Sequence, residues 1–375
     1  MLIMPLGDIF IDLFDLTARQ YSYLVSSYSF GAMLSSVFAF LYMDRFDRKT
    51  ALIVLYAGFV IGTFLCGLSE GYYMLMTLRF ITGMFGGVIG ALAFAIVADL
   101  YKFKERGRAM GILMGAFSAA SALGVPFGLY LAAQHSWRTP FLSLGGIGLI
   151  VLAFVILKFP SIRHHLHVSD VAPSIRRTFN LLLGDKNQLN ALLLGSILVL
   201  GHFIIIPFIS PYMIRNVGFS QMDITYIFLL GGLSMIISSP LVGRMTDRYG
   251  VMRLFTICIF LSMIPTVAIT HMGPSPIWMG LIYTTLFFIF GSARMIPANT
   301  IITASVGVEN RGSFMSMKSA LQQMSIGLAS IISGEIVILN QNGTYDNYHM
   351  VAYLSIIFLL VSIYLCSRLR VAEGN

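Results

Sequence analysis

Residues 40–56 read "FLYMDRFDRKTALIVLY", with five charges (Asp44, Arg45, Asp47, Arg48, Lys49) in six positions and apolar residues for more than a dozen places on either side. What such a cluster does between two greasy stretches is settled by the composition around it. With 57% hydrophobic residues, 11% charged residues and a mean hydropathy of +0.83, the chain has too few polar side chains to cover a water-soluble globule of 375 residues. It belongs in a bilayer, and the cluster is the turn between two crossing helices.

The 24 Lys and Arg outnumber the 16 Asp and Glu, yet they are scattered over short gaps and form no continuous stripe. Membrane orientation accounts for them, and no nucleic-acid partner is expected. Cys66, Cys258 and Cys366 lie far apart inside apolar runs, with no CxxC pair and no histidine at metal-ligand spacing. They are expected to be inert core residues, and no metal site and no cofactor is expected.

A helix needs about 20 apolar residues to cross about 30 Å of hydrocarbon, and only a helix satisfies its own backbone there. Runs of that kind fall near 21–43, 51–69, 73–98, 109–132, 140–158, 191–213, 222–242, 252–271, 277–303, 312–338 and 350–367. The opening "MLIMPLGDIFIDLF" is apolar but too short to cross, and Asp8 and Asp12 interrupt it. Assigning alternate gaps to opposite sides puts nineteen basic residues on the side of the quoted cluster and leaves only Arg19, Arg138 and Arg215 on the other. That asymmetry places the cluster and the C-terminus in the cytoplasm. It also requires a helix before residue 20, so residues 1–14 are expected to be the tail of a first span whose beginning is absent, for twelve spans in all. They are no signal peptide, lacking a basic start and a small-residue cleavage site.

The longest gap, about 159–190, is polar and holds "RHHLH" and "SIRRTFNLLLGDKNQLN", part of which suits an amphipathic surface helix. It divides the chain into an N-terminal bundle (1–158, first helix truncated), a cytoplasmic linker (159–190) and a C-terminal bundle (191–375). The halves repeat. "GRMTDRYGVMRLF" (Gly243, Asp247, Arg248, Gly250) occupies the place in the second half that "DRFDRK" holds in the first, with Asp247 203 residues after Asp44. "ERGRAMG" recurs as "ENRGSFM", with Arg311 205 residues after Arg106. Two motif pairs at almost one offset indicate an internal duplication.

On these motifs the chain resembles the major facilitator superfamily, over essentially every residue from Met1 to about Arg370. The signature G-x-x-x-D-R-x-G-R-K is matched by "DRFDRK" except that Phe40 and Asp47 replace its glycines, and Gly243 to Gly250 is the better copy. "LRFITGMFGG" (Arg79, Gly83) is similar to an Arg-then-glycine motif of the fourth helix, and "GVPFGL" (Gly124, Pro126, Gly128) to the Gly-Pro motif of exporters, with Val125 intervening. The drug:proton antiporter and sugar-efflux families look most similar. The resemblance implies an all-α fold of two six-helix bundles related by a pseudo-two-fold axis. It further implies a monomer in a bacterial inner membrane, a small-molecule substrate and protons as coupling ion.

The motifs suggest roles. Asp44 and Asp247 are expected to latch the cytoplasmic side by accepting from a helix end or from Arg106 and Arg311, with Arg45, Arg48, Gly243 and Arg248 part of the same gating loops. Gly83, Gly115, Gly124 and Gly128 are small faces for helix packing, and Pro126 is a place to bend. Charges inside spans are costly and so are functional candidates: Asp8, Arg79, His202 and Arg294 for substrate or proton coupling, with Arg294 placed to attract an anionic group or to pair with Asp8. Phe208 and Tyr212, beside Pro207 and Pro211, are candidates to line an apolar cavity. Proton-coupled export leads the functional readings. Its rivals are a facilitator or importer of sugars, amino acids or organic anions, and a non-transporting sensor or truncated inactive product. No HExxH, GxSxG or P-loop points to an enzyme.

Overall fold

The computed structural model describes residues 3–42, 46–100, 109, 112–113, 120–161, 184–306 and 311–371. In the first half α1 is Gly7–Phe14, α2 Ala18–Tyr42, α3 Arg48–Gly67, α4 Tyr72–Leu100, α5 Val125–Gln134 and α6 Arg138–Lys158. In the second, a broken seventh span comprises α7 (Lys186–Phe203), α8 (Ile206–Tyr212) and a π turn, Met213–Val217. It is followed by α9 (Gln221–Tyr249), α10 (Val251–Thr270), α11 (Ile277–Ala304), α12 (Arg311–Ile336) and α13 (Tyr348–Ser367). The fold is two helical bundles, as expected. α7 starts inside the stretch read as linker because the Asp185 side chain caps it, accepting from the Asn187 N–H at 2.8 Å.

Among the described residues eight helices are long and apolar enough to cross a membrane, and α2 and α12 are not among them. Those two pack against each other across the halves, so neither needs a fully apolar surface. α2 is rich in serine, and its hydroxyls turn back onto the helix: Ser27 donates to the Leu24 carbonyl at 2.8 Å and Ser36 to that of Ala32 at 2.7 Å. Such residues keep their polar needs internal while staying small enough for close approach. A Cβ added at Gly334 of α12 would lie 2.3 Å from Ser22 Cβ, and one at Gly83 of α4 would lie 2.1 Å from the Tyr28 carbonyl oxygen. The first approach joins the halves; the second knits α4 to α2 within one.

Proline shapes two spans. Pro126 would drive its ring into the carbonyl four residues earlier, and a π turn at Ala120–Gly124 widens the helix just before it. A Cβ at Gly124, which ends the widened turn, would meet nothing within 4 Å among the described residues. In the seventh span the helix breaks at Ile204–Ile205 ahead of Pro207, and Pro211 leaves the Pro207 carbonyl without a helical donor.

A feature absent from the expectations closes one end of the second bundle. Residues 338–346, placed partly in the eleventh span by the hydropathy, form a short antiparallel hairpin, Ile338–Leu339 (β1) with Tyr345–Asp346 (β2). Its turn holds Gly343 at φ +83°, which an Asn-Gly dipeptide readily supplies.

Candidate functional site at the interface of the two halves

Among the described residues the apolar core is continuous between the bundles at one end only. There Leu6, Phe10 and Tyr21 of the first half pack in one cluster with Ile205, Phe208 and Tyr345 of the second. Toward the other end the core divides among the described residues: Ala51, Leu92 and Ile96 form a cluster inside the first half, while Leu194, Phe255 and Phe314 belong to another inside the second. In the orientation expected from the basic residues the joined end faces outward, and it is called the outer end below.

Polar contacts across the halves gather at that end. Arg215 forms ion pairs with Asp8 and Asp12, bridging the first and seventh spans. Tyr21 donates to the Pro207 carbonyl at 3.0 Å, and Ser210 to the Pro5 carbonyl at 2.7 Å. Arg19 pairs with Glu335 at 2.7 Å on the exposed rim, where solvent screens the pair. Asn216 grips the hairpin, its amide donating to the Tyr345 carbonyl at 2.8 Å and accepting from the Tyr345 N–H at 2.9 Å. The Tyr345 ring thus lies 5.9 Å beneath the Arg215 guanidinium. Burial pushes the Tyr345 phenol above its usual range, so it remains neutral beside the ion triad.

This arrangement corrects two expectations. Asp8 does not pair with Arg294, because Arg294 lies about 25 Å down α11 from its outer end while Asp8 sits one to two turns from that end of α1. Its partner is Arg215, which the sequence presented only as a loop charge. Phe208 and Tyr212, expected along a cavity, are packed in the joined core. Phe208 is fully buried, edge-on to Tyr21 at 5.5 Å and to Tyr345 at 5.9 Å, and Tyr212 donates to the Met272 carbonyl at 3.0 Å.

Deeper in the second half, Arg294 is 1% exposed and donates to Ser262 Oγ at 2.7 Å and to His202 Nδ1 at 3.0 Å. His202 stacks on Phe287 at 5.0 Å. In the first half the Arg79 guanidinium lies 4.7 Å over the Tyr28 ring, and its Nε has no hydrogen-bond partner among the described residues.

The other end is less fully described. Asp44, Arg45, Arg106 and Gly115 lie outside the described residues, as does the Arg311 side chain. Arg48 is buried at the start of α3. Asp247 is exposed and makes no ion pair among the described residues, and Arg248 lies over the Tyr249 ring at 5.4 Å. A Cβ at Gly243 would meet open space.

Two bundles of apolar helices joined along polar, serine- and glycine-lined faces define a multi-pass integral membrane protein. The chain belongs to the Major Facilitator Superfamily, whose family model matches it twice, at residues 1–197 and 191–374. That double match carries the duplication seen in the loop motifs. AraJ of Escherichia coli (strain K12) is 27% identical over 270 residues, 72% of this chain and 65% of that protein's length. Among solved structures, a D-xylose-proton symporter aligns over 100% of this chain and 93% of its own with a TM-score of 0.78 at 15% identity. A bacterial homolog of the human lysosomal transporter Spinster, in an inward-facing and occupied conformation, covers 100% and 95% with a TM-score of 0.77 at 16% identity. At such identities the structural likeness is one of fold.

Proposed function

We propose that this protein is a secondary active transporter that exports a small molecule in exchange for protons, by alternating access between the two bundles. The observation that carries this reading is the one-ended closure. A core shared by both halves at one end, and separate in each half toward the other among the described residues, supports one half of a rocking cycle in which the central space opens at the unshared end. The inward-facing state named for the Spinster homolog supports it.

Coupling falls to the outer ion triad. Asp8 is charged and paired with Arg215 while the outer end is closed; once the end opens, the freed carboxylate meets the outer aqueous phase and accepts a proton. As the halves reclose, Arg215 takes the carboxylate back and the proton passes into the central space and on to the cytoplasm, so each cycle moves a proton inward as substrate moves out. The D-xylose-proton symporter supports protons as a coupling ion on this fold. Export rests on the similarity of Gly124, Pro126 and Gly128 to the exporter motif.

The test is substrate efflux from energised vesicles. Efflux is expected to stop when the pH gradient and membrane potential are both collapsed, and Asp8→Asn is expected to retain substrate binding while losing its response to the pH gradient. Efflux that persists after complete collapse removes proton coupling from the proposal.

A further inference from the structure

Two cations sit inside the second bundle with only neutral partners. Arg294 donates to Ser262 and to His202 Nδ1, and its buried Nε has no partner among the described residues. A guanidinium only donates, so Nδ1 of His202 must be the accepting nitrogen; the imidazole is neutral, with its proton on Nε2. Lys318, 6% exposed on α12, donates to Asn299 Oδ1 at 2.6 Å. Among the described residues no carboxylate pairs with either cation, and the one buried acid of the described chain, Asp8, is engaged by Arg215 at the outer end.

An arginine keeps its proton, and a charge at membrane depth costs several kcal/mol unless something offsets it. Here the bundle supplies hydroxyl, amide and neutral imidazole, and leaves one guanidinium N–H unmet. Asn299 is itself exposed, on the inner third of α11 toward the end where the halves part, so Lys318 stands one residue behind an accessible surface.

We infer that Arg294 binds an acidic group of the substrate, with Lys318 a second cation nearer the inner end of α11, so that the transported molecule is an organic anion bearing a carboxylate or a phosphate. The inference rests on the transport reading above and names its substrate class. The anion supplies the missing counter-charge, and Ser262 and His202 hold the Arg294 fork in place to receive it. A neutral solute would leave both cations uncompensated and is rejected on that ground.

The experiment is thermal unfolding of the purified full chain in lipid nanodiscs, titrated with benzoate, phenyl phosphate, benzamide and benzylamine. Benzoate or phenyl phosphate should raise Tm saturably, and the neutral and cationic analogues should not; which of the two acids acts separates carboxylate from phosphate. Arg294→Gln and Lys318→Gln should each weaken the anion response by about tenfold or more, the loss of one charge-assisted hydrogen bond. Arg294→Lys should retain part of it, and Arg19→Gln on the outer rim should leave it whole. Should Arg294→Gln fail to fold, Arg294→Lys and Lys318→Gln carry the test. Equal stabilisation by benzamide, no stabilisation by either anion, or an anion response untouched in both cation variants would overturn the inference. Because binding is read at equilibrium, anion binding without any vesicle flux would sink the transport reading alone, and proton-dependent flux of neutral solutes without anion binding would sink this inference alone.

Discussion

The hydroxyl of Tyr21 donates across the two halves to the carbonyl of Pro207, 3.0 Å away and 186 residues distant in sequence. That carbonyl is available because Pro211, four residues on, has no N–H to offer it. A proline in one bundle thus creates the acceptor that the other bundle uses to close. Removing the hydroxyl in Tyr21→Phe leaves the ring packing against Phe208 and deletes one net hydrogen bond of about 0.5–1.5 kcal/mol. The outer end should then open two- to tenfold more often, read as faster labelling of a Ser22→Cys reporter by a membrane-impermeant maleimide. An unchanged rate would mean that the bond does not hold the closed state.

The ion triad should be graded by burial. Arg215 and Asp8 are 16% and 11% exposed at their side chains, against 69% for Asp12. Arg215→Gln should therefore strand a half-desolvated carboxylate and raise reporter labelling about tenfold or more, whereas Asp12→Asn should change it by less than about twofold. In a double-mutant cycle Asp8→Asn with Arg215→Gln should be clearly non-additive. Additivity would show that the pair carries no closing energy.

Glycines separate fold from motion. Gly334→Val places a side chain where Ser22 lies 2.3 Å from its Cβ, and should hold the outer end apart: transport is lost, the reporter labels fast, and the protein still inserts. Gly83→Val meets the Tyr28 backbone 2.1 Å away inside one bundle. It should lower thermal stability by about 1–3 kcal/mol, with little protein recovered folded. If both variants merely unfold, the distinction between interface and bundle packing fails.

The hairpin should act as a cover over the closed end. Asn216→Ala removes both side-chain bonds to the Tyr345 backbone, and Gly343→Val strains a residue at φ +83° at a cost of about 1–2 kcal/mol. Amide exchange across 338–346 should rise in either variant, while that of α9 and α10 stays as in wild type. Protection unchanged in Asn216→Ala would place the hairpin's stability elsewhere.

Much of this molecule was legible in residue order alone, because hydropathy and charge act along the chain. A span is apolar wherever it meets lipid, so eight of the spans, the two-bundle fold and the internal duplication could be read from residue order. Even the hairpin left a signal in its Asn-Gly turn, which the neighbouring apolar run obscured.

Partnership was another matter. Arg215 has the same sequence signature as any basic residue at a helix end, and nothing near it in the chain points to Asp8, 207 residues away. Arg294 and Asp8 looked like partners because an isolated base and an isolated acid attract on paper; depth along their helices keeps them apart. Local order sets which segments enter the membrane and how they face. The docking of one bundle on the other sets which charges meet, because an ion pair forms only where two helix ends arrive at the same height, and that height is fixed by helix breaks, glycine contacts and tilts that no single segment encodes.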